Sequence, residues 1–215
     1  MNNPIFVTGI GTGIGKTVAS AILVEALEAD YWKPVQAGLE GITDTEWVKM
    51  NVTNRKSIIH PECYRLQTPA SPHIAARKDN CSITIENIYQ QIPEYSCNLI
   101  VEGAGGLLVP LNEKEFIIDL IVALQGMVVL VSRNYLGSIN HSLLSAAVCK
   151  KNNIPVFGWF FIGYDLVYEK EISKWSNLPI IASVPVVEAP GKTFVKAMAE
   201  SVKGSLNDLL CLKRR

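Results

Sequence analysis

Short, unbroken apolar segments alternate with longer segments of helical periodicity along most of the chain. Ile5–Thr8, Tyr31–Val35, Leu99–Val101, Met127–Ser132, Val156–Phe161 and Ile180–Ser183 read as strands. Between them Lys16–Leu27, Ile83–Gln91, Phe116–Leu124, Ile139–Asn152, Val167–Trp175 and Phe194–Leu210 carry the 3.6-residue pattern of helices. Thr43-Asp44-Thr45-Glu46 has capping-box spacing and predicts a further helix start. From Asn51 to Asn80, prolines and other breaks predict irregular or short elements. Strands that are apolar at consecutive positions are buried on both faces. The pattern therefore predicts an α/β fold: a doubly wound, mainly parallel sheet with helices on both faces. Ligands of such sheets bind beyond the C-terminal ends of the strands.

Gly9-Ile10-Gly11-Thr12-Gly13-Ile14-Gly15-Lys16-Thr17 lies at the first such end, between strand Ile5–Thr8 and the helix opened by Val18. Glycines let successive N–H groups turn toward one anion, and the helix start adds free donors and a positive dipole end. Lys16 would reach the β- and γ-phosphates of a nucleotide, and the Thr17 hydroxyl would ligate magnesium. The strict spacing fails by one residue, because Ile10 stands where the first glycine belongs. An ordinary glycine-rich turn is the alternative. The strand-to-helix context of Gly15-Lys16-Thr17 favours the phosphate loop, and with it a fold of the P-loop NTPase type.

Two more strand ends carry chemistry. Lys33-Pro34-Val35-Gln36-Ala37-Gly38 would aim Lys33 into the crevice, although in isolation a surface lysine beside a turn fits equally well. Val101-Glu102-Gly103-Ala104-Gly105-Gly106 places a carboxylate after a buried strand, where it needs a partner; a metal shared with Thr17 supplies one. Asp44 falls in the first turn of a capped helix, a position that favours any acid. His60, His73 and His141 lack metal-ligand spacing.

The 215 residues suit one α/β domain spanning 1–215, and 48% apolar residues suffice for a sizeable core. Residues from about 211, ending in Lys213-Arg214-Arg215, are expected to be a mobile tail. The balanced charge gives no reason to expect a nucleic-acid or anionic-membrane surface, and no apolar run reaches the ~20 residues of a membrane span. Cys63, Cys81, Cys97, Cys149 and Cys211 form no Cys-x-x-Cys pair. Together with the lack of a cationic leader, this predicts a cytoplasmic protein without disulfides.

Thr8-Gly9…Thr12…Gly15-Lys16-Thr17, Lys33-Pro34-Val35 with Gly38, Ser71-Pro72-His73, Val101–Gly106 running into Val109-Pro110, and Gly137-Ser138-Ile139-Asn140-His141 form an ordered set. Over about residues 5–190 the chain resembles the ATP-dependent dethiobiotin synthetases, whose phosphate loop is also longer than the strict pattern. The resemblance implies a cytoplasmic homodimer that converts 7,8-diaminononanoate, carbon dioxide or bicarbonate and ATP, with magnesium, into dethiobiotin, ADP and phosphate. Lys16 and Lys33 would then be catalytic, Lys16 at the transferred phosphoryl group and Lys33 at the carbamate and its phosphorylated form. Gly13, Ile14, Gly15, Lys16, Thr17 and Val18 would hold the nucleotide, together with Asp44, Glu102, Gly103, Ala104 and Gly105. Thr17, Asp44 and Glu102 would be the magnesium ligands. Lys33, Ala37, Gly105 and Asn140 would contact the substrate, Asn140 at its carboxylate and across the dimer interface.

Three positions depart from the family pattern. Gly11 replaces a frequent aspartate, and Ala37 a frequent hydroxyl residue. Ile162 stands where an asparagine often reads adenine, which predicts relaxed nucleotide selectivity. Other readings are a related amidoligase and a regulatory ATPase switch of the partitioning type. The amidoligases are usually longer, with a glutaminase domain. The switches typically carry a second lysine early in the loop, and residues 9–15 contain none.

Overall fold

The computed structural model describes the backbone of residues 3–95 and 97–213, and side chains as far as residue 206. Among the described residues, eight strands and eight helices follow one another as β1 (Ile5–Gly9), α1 (Lys16–Leu27), β2 (Asp30–Trp32), β3 (Val35–Ala37), α2 (Asp44–Asn51), β4 (Tyr64–Leu66), α3 (Pro72–Lys78), α4 (Ile85–Gln90), β5 (Leu99–Gly106), α5 (Ile117–Ala123), β6 (Met127–Arg133), α6 (Ser138–Lys151), β7 (Val156–Ile162), α7 (Leu166–Ser176), β8 (Ile180–Val184) and α8 (Lys192–Lys213). Six strands form a parallel sheet in the order β2-β5-β1-β6-β7-β8. The strand order reverses beside β1, so the phosphate loop leaves the sheet at the switch point where ligands bind.

Successive strand residues face opposite layers. Ile5, Val7 and Ile100 join α1 and α8 in one core, whereas Phe6, Val101, Leu130 and Trp159 pack with α5, α6 and α7 in the other. This two-sided burial is the reason the strands read as unbroken apolar runs.

The single strand expected over Tyr31–Val35 is two strands. Asp30–Trp32 pairs with β5 at the sheet edge, and Val35–Ala37 pairs with β4 in a separate two-stranded sheet. The break is at Lys33-Pro34. Proline has no N–H for a ladder and constrains the residue before it. The Pro34 carbonyl instead accepts from the N–H groups of Cys63 and Tyr64. Lys33 is thus in neither strand, at the corner where the chain leaves the main sheet.

The capping box forms as its spacing predicts: the Thr43 hydroxyl accepts from Glu46 N, and Glu46 Oε2 accepts from Thr43 N. Helix α4 begins at Ile85, two residues later than expected, because the Thr84 hydroxyl caps it. Within 51–80 the short elements are β4 and α3. Helix α8 continues to Lys213, so the expected tail is helical through that residue; 214 and 215 lie outside the described residues. Burial pushes the Cys63 and Cys149 thiols up to about 11 and about 12, so both remain protonated and inert at neutral pH. The Cys211 side chain lies outside the described residues. Among the described residues no helix is long and apolar enough to cross a membrane.

Candidate active site

A cavity of about 760 Å³ opens at the C-terminal ends of β1, β2 and β5. Thr12, Gly13, Gly15, Lys16 and Thr17 form its phosphate-loop wall. Gly15 precedes α1 with φ 93°, a left-handed conformation that strains a side chain, and a Cβ there would lie 3.0 Å from Ile162 Cγ1. Across the sheet, a Cβ on Gly106 would lie 2.9 Å from Gly9 O. The glycine at that position therefore lets the end of β5 approach the start of the loop.

Lys16, the first residue of α1, turns its ammonium back to Gly11 O at 2.8 Å. Its pKa is lowered to about 8, chiefly by burial; Glu102 and Asp44 oppose the drop and Lys33 adds to it. A lysine whose charge is so poorly compensated gains from an arriving anion such as a phosphate.

The remaining polar groups converge on Glu102, 1% exposed at the fourth position of β5. Glu102 Oε1 lies 2.9 Å from Thr17 Oγ1 and 3.0 Å from Lys33 Nζ. Thr17 Oγ1 is also 2.7 Å from Asp44 Oδ1, and Lys33 Nζ 2.7 Å from Asp44 Oδ2. Burial alone would lower the Lys33 pKa, but Glu102 and Asp44 outweigh it and hold the value above the ordinary one. Burial alone would raise Asp44, yet Lys33 and the Thr17 hydrogen bond hold it low. Lys33 is therefore a cation, and Asp44 an anion, at neutral pH.

Thr17 has a single hydroxyl proton for two carboxylate neighbours. Three oxygen donors thus crowd together with one proton among them, a hard donor set suited to a magnesium ion. Among the described residues no group of three or more His, Cys, Asp or Glu could hold a metal. An ion at Thr17, Asp44 and Glu102 would complete its shell from phosphate and water, as magnesium commonly does.

The sequence-predicted residues distribute unevenly. Gly13, Gly15, Lys16, Thr17, Lys33, Ala37, Asp44, Glu102, Ala104 and Gly105 all line the large cavity. Ile14 and Val18 line a smaller one of about 140 Å³, with Gly13, Gly15, Ile162 and the 185–187 turn. Gly103 lines neither; it lies beneath the surface, where a Cβ would come within 2.7 Å of the Phe6 ring. Asn140 is exposed on the first turn of α6 and lines neither cavity. Asp44 keeps its place in the first turn of α2 while it contacts Lys33 and Thr17, so both of its readings coexist.

Two contributors were not singled out from the sequence. Gln36 lines the cavity, accepts from Asp44 N and donates to the carbonyls of Ala37 and Gly38. Tyr31 donates from a fully buried phenol to Glu102 Oε2 at 2.9 Å. The signal for Tyr31 was its place two residues before Lys33, which puts both side chains on one side of an extended chain.

A family model described as an AAA domain matches residues 3–192. An ATP-dependent dethiobiotin synthetase of Christiangramia forsetii is 43% identical over 97% of this chain and 100% of its own. The enzyme of that name from Cytophaga hutchinsonii is 46% identical over 90% and 94%. The septum site-determining protein MinD of Pyrococcus horikoshii, solved with Mg-ADP, shares the fold at a TM-score of 0.56; it is 15% identical over 97% of this chain and 99% of that one. An identity of 43–46% over nearly the full length of both chains places the chain in the family of ATP-dependent dethiobiotin synthetases.

Proposed function

We propose that the protein closes the ureido ring of dethiobiotin from 7,8-diaminononanoate and carbon dioxide or bicarbonate, at the expense of ATP, in the cytoplasm. The observation that carries this reading is the convergence of Lys16, Thr17, Lys33, Asp44 and Glu102 on one cavity. In the proposed sequence one amine of the substrate becomes a carbamate, ATP phosphorylates it, and the second amine displaces phosphate. Such chemistry needs positioning and charge neutralisation rather than a protein nucleophile. Lys16 and the N–H groups of the loop hold the phosphates. Lys33 faces the carbamate oxygen that takes up the phosphoryl group and then departs with it as phosphate when the second amine attacks the carbonyl carbon. Thr17, Asp44 and Glu102 hold magnesium, which when bound supplies positive charge against the phosphate oxygens. Gly105 and Ala37 border the diamine through backbone contacts.

A homodimer is part of the proposal. Asn140 lies near exposed Tyr135, Leu136 and Leu144, and Leu136 is 93% exposed. A second copy over this face gives Asn140 a role at the substrate carboxylate that one chain alone does not offer. Sedimentation reads this directly, and a monomer at assay concentration would exclude it.

ATP turnover discriminates a synthetase from a regulatory ATPase on the same fold. Phosphate release is expected to require both the diamine and bicarbonate, with dethiobiotin formed in equal amount. ATP hydrolysis at full rate without the diamine would overturn the reading.

Nucleotide choice follows from Ile162. It is buried at the end of β7 against Gly15, and offers the smaller cavity only apolar contact. The Gly163 N–H is already given to Val184 O at 2.7 Å, and Gly163 O accepts from Asn134 at 2.8 Å. An apolar site discriminates weakly, whereas one that hydrogen-bonds its ligand rejects analogues strongly. GTP and CTP are expected to support synthesis within about tenfold of ATP, a difference of ~1.4 kcal/mol. Initial rates at equal nucleotide concentration measure this. A preference for ATP of more than about a hundredfold would mean that adenine is read after all, through the backbone of Gly163, Tyr164 or the Val184-Pro185-Val186 turn or by Arg133, which lines the same cavity, and that Ile162 does not mark relaxed selectivity.

A further inference from the structure

We propose that Tyr31 is a positioning residue for Glu102: its phenol caps Oε2, so that Oε1 alone faces Thr17, Lys33 and the metal of the ATP reaction. The inference rests on the magnesium reading above and assigns it one more residue.

A carboxylate presents two equivalent oxygens unless its surroundings distinguish them. Here they do. Oε1 faces Thr17 and Lys33, whereas Oε2 accepts the Tyr31 hydroxyl. Both side chains are buried, Tyr31 completely and Glu102 at 1% exposure, so water does not compete for Oε2.

The phenol is itself firmly held. Tyr31 pairs with Ile100 in the sheet. On its other side its N–H donates to Ile58 O and its carbonyl accepts from His60 N, each at 2.9 Å. Its ring packs into the α1-side core with Val7, Val48 and Ile100. The phenol is the donor of this pair, because a carboxylate oxygen only accepts.

A ring this buried could serve only as core packing, and one atom separates the two roles. Tyr31→Phe keeps the ring and removes the donor. Outer partners of metal ligands are typically worth about 10–100-fold in metal affinity. Mn²⁺ binding to the enzyme–ADP complex, followed by electron paramagnetic resonance of the free ion, is expected to weaken by about that factor in Tyr31→Phe. ADP affinity measured in EDTA is expected to stay unchanged. The rate at saturating magnesium should recover while the magnesium concentration needed for half of it rises.

Unaltered Mn²⁺ affinity in Tyr31→Phe would overturn the inference. So would an equal loss of metal-free ADP affinity, which would make the phenol a packing group for the whole loop. Glu102→Gln separates this failure from that of the magnesium reading. If Glu102→Gln loses Mn²⁺ and Tyr31→Phe does not, the role of Tyr31 alone is wrong. If Glu102→Gln binds Mn²⁺ as well as wild type, the metal assignment fails and the role of Tyr31 with it.

Discussion

Replacing Lys33 by alanine is expected to lower diamine-dependent phosphate release by about 10²–10³. The lysine is 4% exposed, lies at the corner between β2 and β3, and lines the same cavity as the phosphate loop. Its ammonium is fixed by two carboxylates, so it meets developing charge without having to be oriented during the step. Preorganised charge of this kind stabilises a transition state more than a mobile surface lysine does. Fixation has a second consequence. Sequence considerations alone suggest that Lys33→Ala leaves folding intact. The pairs with Glu102 and Asp44 mean that the alanine strands two anions, and breaking a buried pair costs up to about 3–5 kcal/mol. The loss should fall below that range, because the Asp44 side chain is 36% exposed and Thr17 and Tyr31 still contact the carboxylates. The rate must therefore be measured where circular dichroism shows the variant folded. A folded Lys33→Ala protein with wild-type diamine-dependent turnover would remove Lys33 from the mechanism.

The second large effect is expected at Glu102. Glu102→Gln conserves shape and removes the charge. The glutamine oxygen can still accept from Lys33 or Thr17, and its amide can donate to the Tyr31 oxygen, so the buried contacts have replacements. Lys33 also retains Asp44 at 2.7 Å, and the fold should survive. Metal affinity should not survive. Even partners one step removed from a metal are worth about 10–100-fold, so loss of a carboxylate ligand should cost at least the upper end of that range. The measurement is the magnesium dependence of synthesis, set beside ADP affinity in EDTA. Wild-type magnesium dependence in a folded Glu102→Gln protein would place the metal elsewhere.

The effects differ in what they remove. Lys33→Ala leaves the metal donors in place and takes away charge at the reacting carbamate, so added magnesium should not restore the rate. Glu102→Gln leaves Lys33 in place, so magnesium at high concentration should restore part of it.

Much of this protein could be read from its sequence. The runs Ile5–Thr8, Met127–Ser132 and Val156–Phe161 are apolar at consecutive positions because parallel strands between helix layers are buried on both faces. That one physical fact made the fold class legible. Gly15-Lys16-Thr17 declared a phosphate loop because only a strand–turn–helix junction aligns N–H groups at an anion, and Thr43–Glu46 declared a helix start because its reciprocal hydrogen bonds are local.

What the tertiary structure decided is non-local. Whether Lys33 was a surface lysine or a buried one depended on Glu102, 69 residues away, and on a break at Pro34 that sends the chain into a second sheet. From its own neighbours Asp44 read only as a first-turn acid; the resemblance alone assigned it to magnesium, and it is the placement of α2 that brings it within 2.7 Å of Thr17. Tyr31 was marked in the sequence only by standing two residues before Lys33, and a phenol in an apolar run otherwise looks like core; its role arises from a contact across 71 residues. Local hydrogen bonds and periodicity are written in neighbouring residues. A charge network is assembled by sheet order, and the order of strands beside β1 is set only when the whole core packs.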